Sequence, residues 1–240
     1  MSKPMPVERR QPIFRSPPVV PGLIIVLVAI HAALSFAGES WQVWSLYALA
    51  FIPSRFGNEP FPMIAGSQIW SFVTYAFLHL DWMHLLFNCL WLLIFGTVAA
   101  RFLGAAKFLL LSALSAAGGA LLTLILHWGQ SYVMIGASGA VSGLMAAAVP
   151  IMYGRQTGWA GWSAGEPATT QPLSIADLLS NRNAIIFTAV WLAITLFSGA
   201  TGFTGNSFMA DARIAWEAHI GGFVSGLAAF YLLRRQTVRG

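Results

Sequence analysis

The chain has 240 residues, of which 57% are apolar and only 9% charged, and its mean hydropathy is +0.70. Those proportions exclude an ordinary water-soluble enzyme. Several apolar stretches approach the roughly 20 residues that a helix needs to cross about 30 Å of hydrocarbon, so the chain reads as an all-α polytopic membrane protein. A single cysteine, Cys89, excludes an internal disulfide framework and any cysteine-based zinc site. The formal charge of +5 suggests nucleic acid only if the basic residues cluster, and they do not.

The first apolar run extends from Val19 to about Ala37 behind a tail with Lys3, Arg9, Arg10 and Arg15. It is longer than a signal-peptide core and is read as an uncleaved first span. Further spans are expected at about Trp82 to Ala100, Phe108 to Trp128, Tyr132 to Tyr153, Ile185 to Ala200 and Ile214 to Leu233. The fifth run is short and is expected to extend back toward Ala184 or to thin the bilayer.

Two loops are long. The outer one, about 38 to 80, carries Trp41, Trp44, Trp70 and several Phe with Pro53, Pro60 and Pro62 as breakers, and reads as a segment anchored in the interface by its aromatics. The inner one, about 154 to 183, is rich in Gly, Ser, Thr and Pro from Gly161 to Thr170 and reads as a flexible connection with one short helix near Ile175 to Leu179. The expected organisation is a tail over 1–18, a six-helix membrane domain over 19–233 and a basic tail over 234–240.

Six spans place both termini on one side. With the N-terminus inside, eleven of the thirteen basic residues fall on the inner side, and only Arg55 and Arg213 fall outside. Lys and Arg concentrate on the cytoplasmic side of short loops, so both termini are expected to be cytoplasmic. The basic balance is then explained by orientation and by anionic lipid headgroups, with no nucleic-acid role.

Polar groups inside a span are costly and are candidates for function. Span two opens with His84 and Asn88, spaced i and i+4 and so on one helical face. Span four contains Gly136-Ala137-Ser138-Gly139, about six residues from its outer end, and span six contains Ala218-His219, about five from its own. All three spans run from outside to inside, so Ser138 and His219 are expected within about 10 Å of the outer surface, where they could meet. A serine and a histidine in hydrogen-bond reach are the minimal nucleophile and general base for acyl transfer. Asn88 and His84 can donate to an oxyanion, and a helix start at Ser138 adds free backbone N–H groups.

Taken singly, the same residues have blander readings. A serine between glycines in a span is first a close-packing position, as are Gly222 and Gly226. A lone intramembrane histidine is first a structural hydrogen-bonding group or part of a proton path. His31 and His127 keep that structural reading because nothing polar accompanies them in sequence, and His79 is read as a brace for the outer loop. Glu217 stands two residues from His219, on another face of the helix, and is a poor candidate for an orienting third member.

Together, these residues resemble the rhomboid family of intramembrane serine proteases. The family's G-x-S-G motif is matched by Gly136-Ala137-Ser138-Gly139, its H-x-x-x-x-H-x-x-x-N pattern by His79, His84 and Asn88, and its A-H-x-x-G-x-x-x-G pattern by Ala218, His219, Gly222 and Gly226. The resemblance covers about residues 19 to 233. It implies that Ser138 attacks the scissile carbonyl, that His219 relays the proton, and that His84, Asn88 and the Ser138 backbone N–H hold the oxyanion. It also implies that Gly136, Gly139, Gly222 and Gly226 let the helices pack closely near the site.

Three departures stand out: the family's Trp-Arg pair is Trp70-Ser71 here, the acidic residue often found near the inner end of span two is replaced in the stretch Gly96 to Gly104, and Ser142 occupies a position that is aromatic in some members. The first two put the bracing of the outer loop and the stability of the fold in question, and the third the support of the His219 ring.

The expected function is an endopeptidase that cuts transmembrane protein substrates in or near their spans, in contact with membrane lipid, without metal or cofactor. The expected location is a bacterial plasma membrane, with the site opening to the periplasmic or extracellular side. The alternative is a catalytically inactive rhomboid-like protein that binds membrane clients. A proton transporter or channel is disfavoured, because the polar groups share one leaflet and no acidic residue lies near a midplane path.

Overall fold

Hydrocarbon offers no partner to a backbone N–H or C=O, so an apolar segment that enters it folds as a helix with all its bonds internal. A computed structural model describes residues 16–58, 64–154, 171–201 and 215–234, and among these there is no β-strand. In chain order the helices are α1 (Val19–Phe36), α2 (Glu39–Leu49), α3 (Ser67–Thr74), α4 (Trp82–Trp91), α5 (Thr97–Leu103), α6 (Ala105–Leu126), α7 (Ser138–Met152), α8 (Ile175–Ser180), α9 (Arg182–Thr201) and α10 (Trp216–Leu233). A π-turn over Leu92–Gly96 joins α4 to α5 as one continuous rod. Among the described residues, four helical segments are long and apolar enough to cross a membrane: α1, the rod Trp82–Leu103, α6, and α9 over Arg182–Ala200.

The fourth expected span differs most from the structure. A helix was expected from Tyr132, but α7 begins only at Ser138 and has 15 residues. The preceding segment is committed to the outer loop: Met134 exchanges backbone hydrogen bonds with Phe51 at 2.9 and 3.1 Å, and Gly136 donates its N–H to the Tyr75 carbonyl at 3.0 Å. Gly136 has φ +117°, which stops any helix from running through it. Ser138 therefore stands on the first turn of its helix, not six residues inside one. The fifth expected span, α9, is longer than its apolar run, with 20 residues from Arg182, because the Asn181 side chain caps it by accepting from the Ala184 N–H at 3.0 Å. The short inner helix occurs as α8, capped by Ser174 through the Asp177 N–H at 3.1 Å. The glycine-rich stretch Gly161 to Thr170 and Ile214 lie outside the described residues.

Lipid tails give helices no hydrophobic reason to associate, so packing depends on how closely their backbones approach. Here α6, α7 and α10 meet through small residues. A Cβ on Gly222 of α10 would fall on the Gly139 carbonyl of α7, and one on Gly226 would fall on the Gly143 backbone. Between α6 and α10, a Cβ on Gly119 would come within 2.7 Å of the Ala218 carbonyl oxygen, and Gly118 faces Ser225 and Gly221. The central helix, α7, is buried along almost its whole length. At the inner end the Lys107 ammonium donates to the Leu233 carbonyl at 2.6 Å, closing the C-terminus of α10 where a cation is favoured.

The outer loop is a folded unit. The Trp70 indole donates to the Ala48 carbonyl at 2.7 Å, and the Thr74 hydroxyl donates to the Leu49 carbonyl at 2.8 Å. Arg55 is only 3% exposed, and its guanidinium donates to the Tyr47 and Ala50 carbonyls at 2.6 and 2.7 Å, satisfying the open end of α2. Ser71 is fully buried and carries no such load. The loop's guanidinium brace comes from Arg55, sixteen positions earlier in the chain.

The glycine contacts make a direct prediction. Gly222→Ala forces α10 off α7 and costs about 1–3 kcal/mol of overpacking, read as a lower midpoint of thermal denaturation in detergent. Gly22→Ala, in a place with nothing within 4 Å, leaves that midpoint unchanged or raises it.

Candidate active site

The site is built where α4, α7 and α10 begin. Asp81 is the N-cap of α4, and its carboxylate accepts from the His84 backbone N–H at 2.7 Å, which fixes the first turn. The His84 ring accepts from the Leu80 N–H at Nδ1, 3.4 Å away, and this bond assigns the ring proton to Nε2. That Nε2 edge lies against Gly136, where an added Cβ would be 2.7 Å from it, so only glycine leaves the ring its place. One turn further, Asn88 is 4% exposed and donates through Nδ2 to the His84 carbonyl at 3.0 Å. The π-turn that follows keeps Asn88, Trp91 and Phe95 on one wall, with the last two rings stacked 5.6 Å apart.

Ser138 is the first residue of α7, and the N–H groups of a first turn have no acceptor within their own helix. The loop before it is held from outside. The Tyr75 carbonyl takes the Gly136 N–H, and the His79 ring accepts the Ala137 N–H at Nε2, 3.5 Å away. Burial, together with the nearby His84 and His31 rings, pushes the His79 pKa down to about 3, so His79 stays neutral and able to accept that bond. The Tyr75 hydroxyl donates to the Ala116 carbonyl at 3.0 Å, and a Cβ on Gly139 would lie 2.6 Å from it, so the phenol fills the junction of α6 and α7 below Ser138. Burial raises the pKa of that phenol and keeps it protonated.

His219 stands one turn into α10. The residue before it, Ala218, has its carbonyl oxygen 3.3 Å from where a Gly139 Cβ would be, so the backbone next to His219 touches the backbone next to Ser138. Ser138, His219 and Asn88 line one cavity of about 750 Å³. Its remaining walls are largely apolar and come from α4, α7 and α9, including Phe95, Val141, Met145, Phe187 and Trp191. Ser142 also lines it, donating to the Ser138 carbonyl at 2.7 Å. His84 does not line this cavity; its ring lies against Gly136, two residues before Ser138, and Gly226 lies against Gly143. Among the described residues no set of three or more His, Cys, Asp or Glu side chains gathers as metal ligands would.

Three features escaped the sequence. Tyr75 and Ala137 gain their roles only through contacts across the chain. His127, given only a structural role from the sequence, lies just past the end of α6 and is paired: its Nε2 is 2.7 Å from Glu217 Oε1 and its Nδ1 is 3.0 Å from Gln130 Oε1. Glu217 itself turns away from His219 to make that contact.

The fold and site together define an all-helical integral membrane protein with a serine at the head of its buried central helix. A Rhomboid domain match spans residues 66–236, and the chain belongs to the rhomboid family. It is similar to the Rhomboid protease GlpG of Yersinia pestis, strain Pestoides F, at 24% identity over 92% of this chain and 65% of the relative. It is also similar to the protein of that name from Yersinia enterocolitica, at 25% identity over 88% of this chain and 60% of the relative. The chain thus spans just under two thirds of the length of these relatives.

The depressed pKa of His79 has a signed consequence. The folded protein refuses a proton that the unfolded chain takes up near the ordinary histidine value of 6.5, so stability falls as pH drops from there toward 3. Nitrogen NMR of labelled His79 is expected to show a neutral ring with no titration between about pH 8 and 5, and His79→Phe flattens the acid side of the stability profile. A His79 ring that titrates near 6.5 contradicts the assignment.

Proposed function

We propose that this protein is an intramembrane serine endopeptidase that hydrolyses peptide bonds in or near the transmembrane segments of other membrane proteins. The observation that carries the reading is the shared cavity: Ser138 at a helix start, His219 on the helix packed against it, and Asn88 from α4 all line it. Ser138 Oγ attacks the scissile carbonyl carbon while His219 takes its proton, and the carbonyl oxygen becomes an oxyanion. The donors for that charge are His84 Nε2–H, Asn88 Nδ2–H and the Ser138 backbone N–H, with the N-terminal end of α7 favouring negative charge. His219 then gives its proton to the leaving amine as the C–N bond breaks, and water repeats the sequence on the acyl-enzyme with His219 again as base. No cofactor enters these steps.

Six membrane helices with both termini cytoplasmic fit this chemistry. The helix α7 is about 22 Å long at ~1.5 Å per residue, shorter than the ~30 Å hydrocarbon core. With its inner end at the inner surface, its serine lies several ångströms below the outer one, under the folded outer loop. Water reaches Ser138 from the periplasmic or extracellular side, and a substrate span meets the apolar walls of the cavity from the lipid. The relatives' name, Rhomboid protease, supports the same activity. A bacterial plasma membrane is the proposed location.

The test uses the purified chain in lipid vesicles with a reporter that carries one labile membrane span. Ser138→Ala and His219→Ala are expected to abolish cleavage while the thermal midpoint stays near that of the wild type. Asn88→Ala is expected to lower kcat by about 10²-fold or more with KM within about twofold, since an oxyanion donor acts mainly in the transition state. Ser138→Ala that still cuts at the wild-type rate sinks the proposal. A wild type that retains the reporter uncut supports the client-binding alternative instead.

A further inference from the structure

Glu217 is a carboxylate in the first turn of a largely apolar helix, and it is only 5% exposed. Such a group is costly unless paired. Its partner, His127, lies just beyond the last residue of α6 and 90 residues away in sequence. The imidazole Nε2 is 2.7 Å from Glu217 Oε1, its Nδ1 is 3.0 Å from Gln130 Oε1, and its face stacks on Tyr132 with ring centres 5.0 Å apart. Both ring nitrogens point at oxygen acceptors, an arrangement that suits an imidazolium donating twice. Among the described residues, Glu217 is the charged group that faces His127, with Gln130 and Tyr132 as its other polar neighbours, and the next titratable group along α10 is His219. Asp211 and Arg213 lie outside the described residues.

The start of α10 needs such a partner. Its N-cap, Ala215, has no side chain to offer, and the Ala218 and His219 N–H groups share the Ala215 carbonyl at 3.0 and 3.3 Å. The glycine contacts secure α10 from Ala218 inward, while the turn before His219 is held by Trp216 against Gly199 of α9 and, toward α6, by Glu217.

We propose that the His127–Glu217 pair is a clasp that positions His219, tying the first turn of α10 to the outer end of α6 so that the general base keeps its height beside Ser138. The proposal rests on the protease reading for its effect on rate, while its effect on α10 does not depend on that reading. His127 and Glu217 are positioning residues, since neither lines the cavity of Ser138. Burial acts to lower the His127 pKa, but the hydrogen bonds to Glu217 and Gln130 and the Glu217 charge together raise it above its ordinary value. The charged clasp is therefore complete at and below the ordinary histidine range and weakens as pH rises through the raised value.

The test follows two readouts in lipid nanodiscs: hydrogen exchange of the amides of Ala218 to Ile220, and the rate at which a fluorophosphonate labels Ser138. In His127→Leu those amides are expected to exchange about tenfold faster with α7 amides unchanged, and labelling and kcat are expected to fall about tenfold with KM within about twofold. In the wild type, exchange at these amides shows an extra step as pH passes the His127 titration. His127→Gln, which still donates to Glu217, restores most of the rate and shows no step. Wild-type exchange and kcat in His127→Leu overturn the clasp. Where His127→Leu fails to fold, the Gln variant decides: loss of the step supports the clasp and its persistence overturns it. A wild type that never labels overturns the protease reading, and exchange at α10 still decides the clasp.

Discussion

The close approach of α6, α7 and α10 is the constraint on which the rest depends. In lipid, two helices gain little by burying apolar side chains, so their association rests on backbone contact and on the hydrogen bonds that contact permits. Gly222 and Gly226 bring α10 onto Gly139 and Gly143 of α7, and Gly119 brings α6 onto the Ala218 carbonyl. One consequence is chemical: with Ala218 against Gly139, the next residue in one helix and the previous residue in the other are His219 and Ser138. A methyl group at Gly222 is enough to part them.

The segments before α4 and α7 shape the candidate site by leaving few backbone groups free to move. The Phe51–Met134 bridge and the Tyr75 carbonyl hold the segment before α7, His79 holds Ala137, and Asp81 and Leu80 hold His84. Donors fixed in advance lose little on meeting a developing charge, which is the condition for oxyanion stabilisation. The other wall of the cavity is built differently. Helix α9 touches its neighbours through ring contacts, Trp191 on Phe223 at 4.8 Å and Phe187 against Phe95 at 6.1 Å.

Much of this was legible in the sequence because membrane burial makes polar residues conspicuous. Ser138, His219, His84 and Asn88 stood out against apolar surroundings, and the glycine spacing around them pointed to close packing. Where local hydropathy and tertiary hydrogen bonds compete, the sequence misleads: Tyr132 to Ala137 reads as the start of a span, but its backbone is paired with Phe51 and Tyr75, and the helix waits until Ser138. Long-range partners were invisible for the same reason. His127 stands just past the end of α6 and meets Glu217 only when α6 and α10 are side by side, and Arg55 looks like a stray outer cation until the end of α2 is folded over it. Tyr75 has no local pattern at all, since its value lies in filling a three-helix junction.

The central claim is that Ser138, His219 and the donors around Gly136 form one reaction centre. The most direct measurement is an experimental structure of the protein after reaction with a small fluorophosphonate, in lipid. The account predicts phosphorus bonded to Ser138 Oγ, its free oxygen within about 3 Å of the Ser138 backbone N, Asn88 Nδ2 and His84 Nε2, and the His219 ring beside Oγ. An adduct on another residue, or a phosphoryl oxygen turned away from these donors, would contradict it.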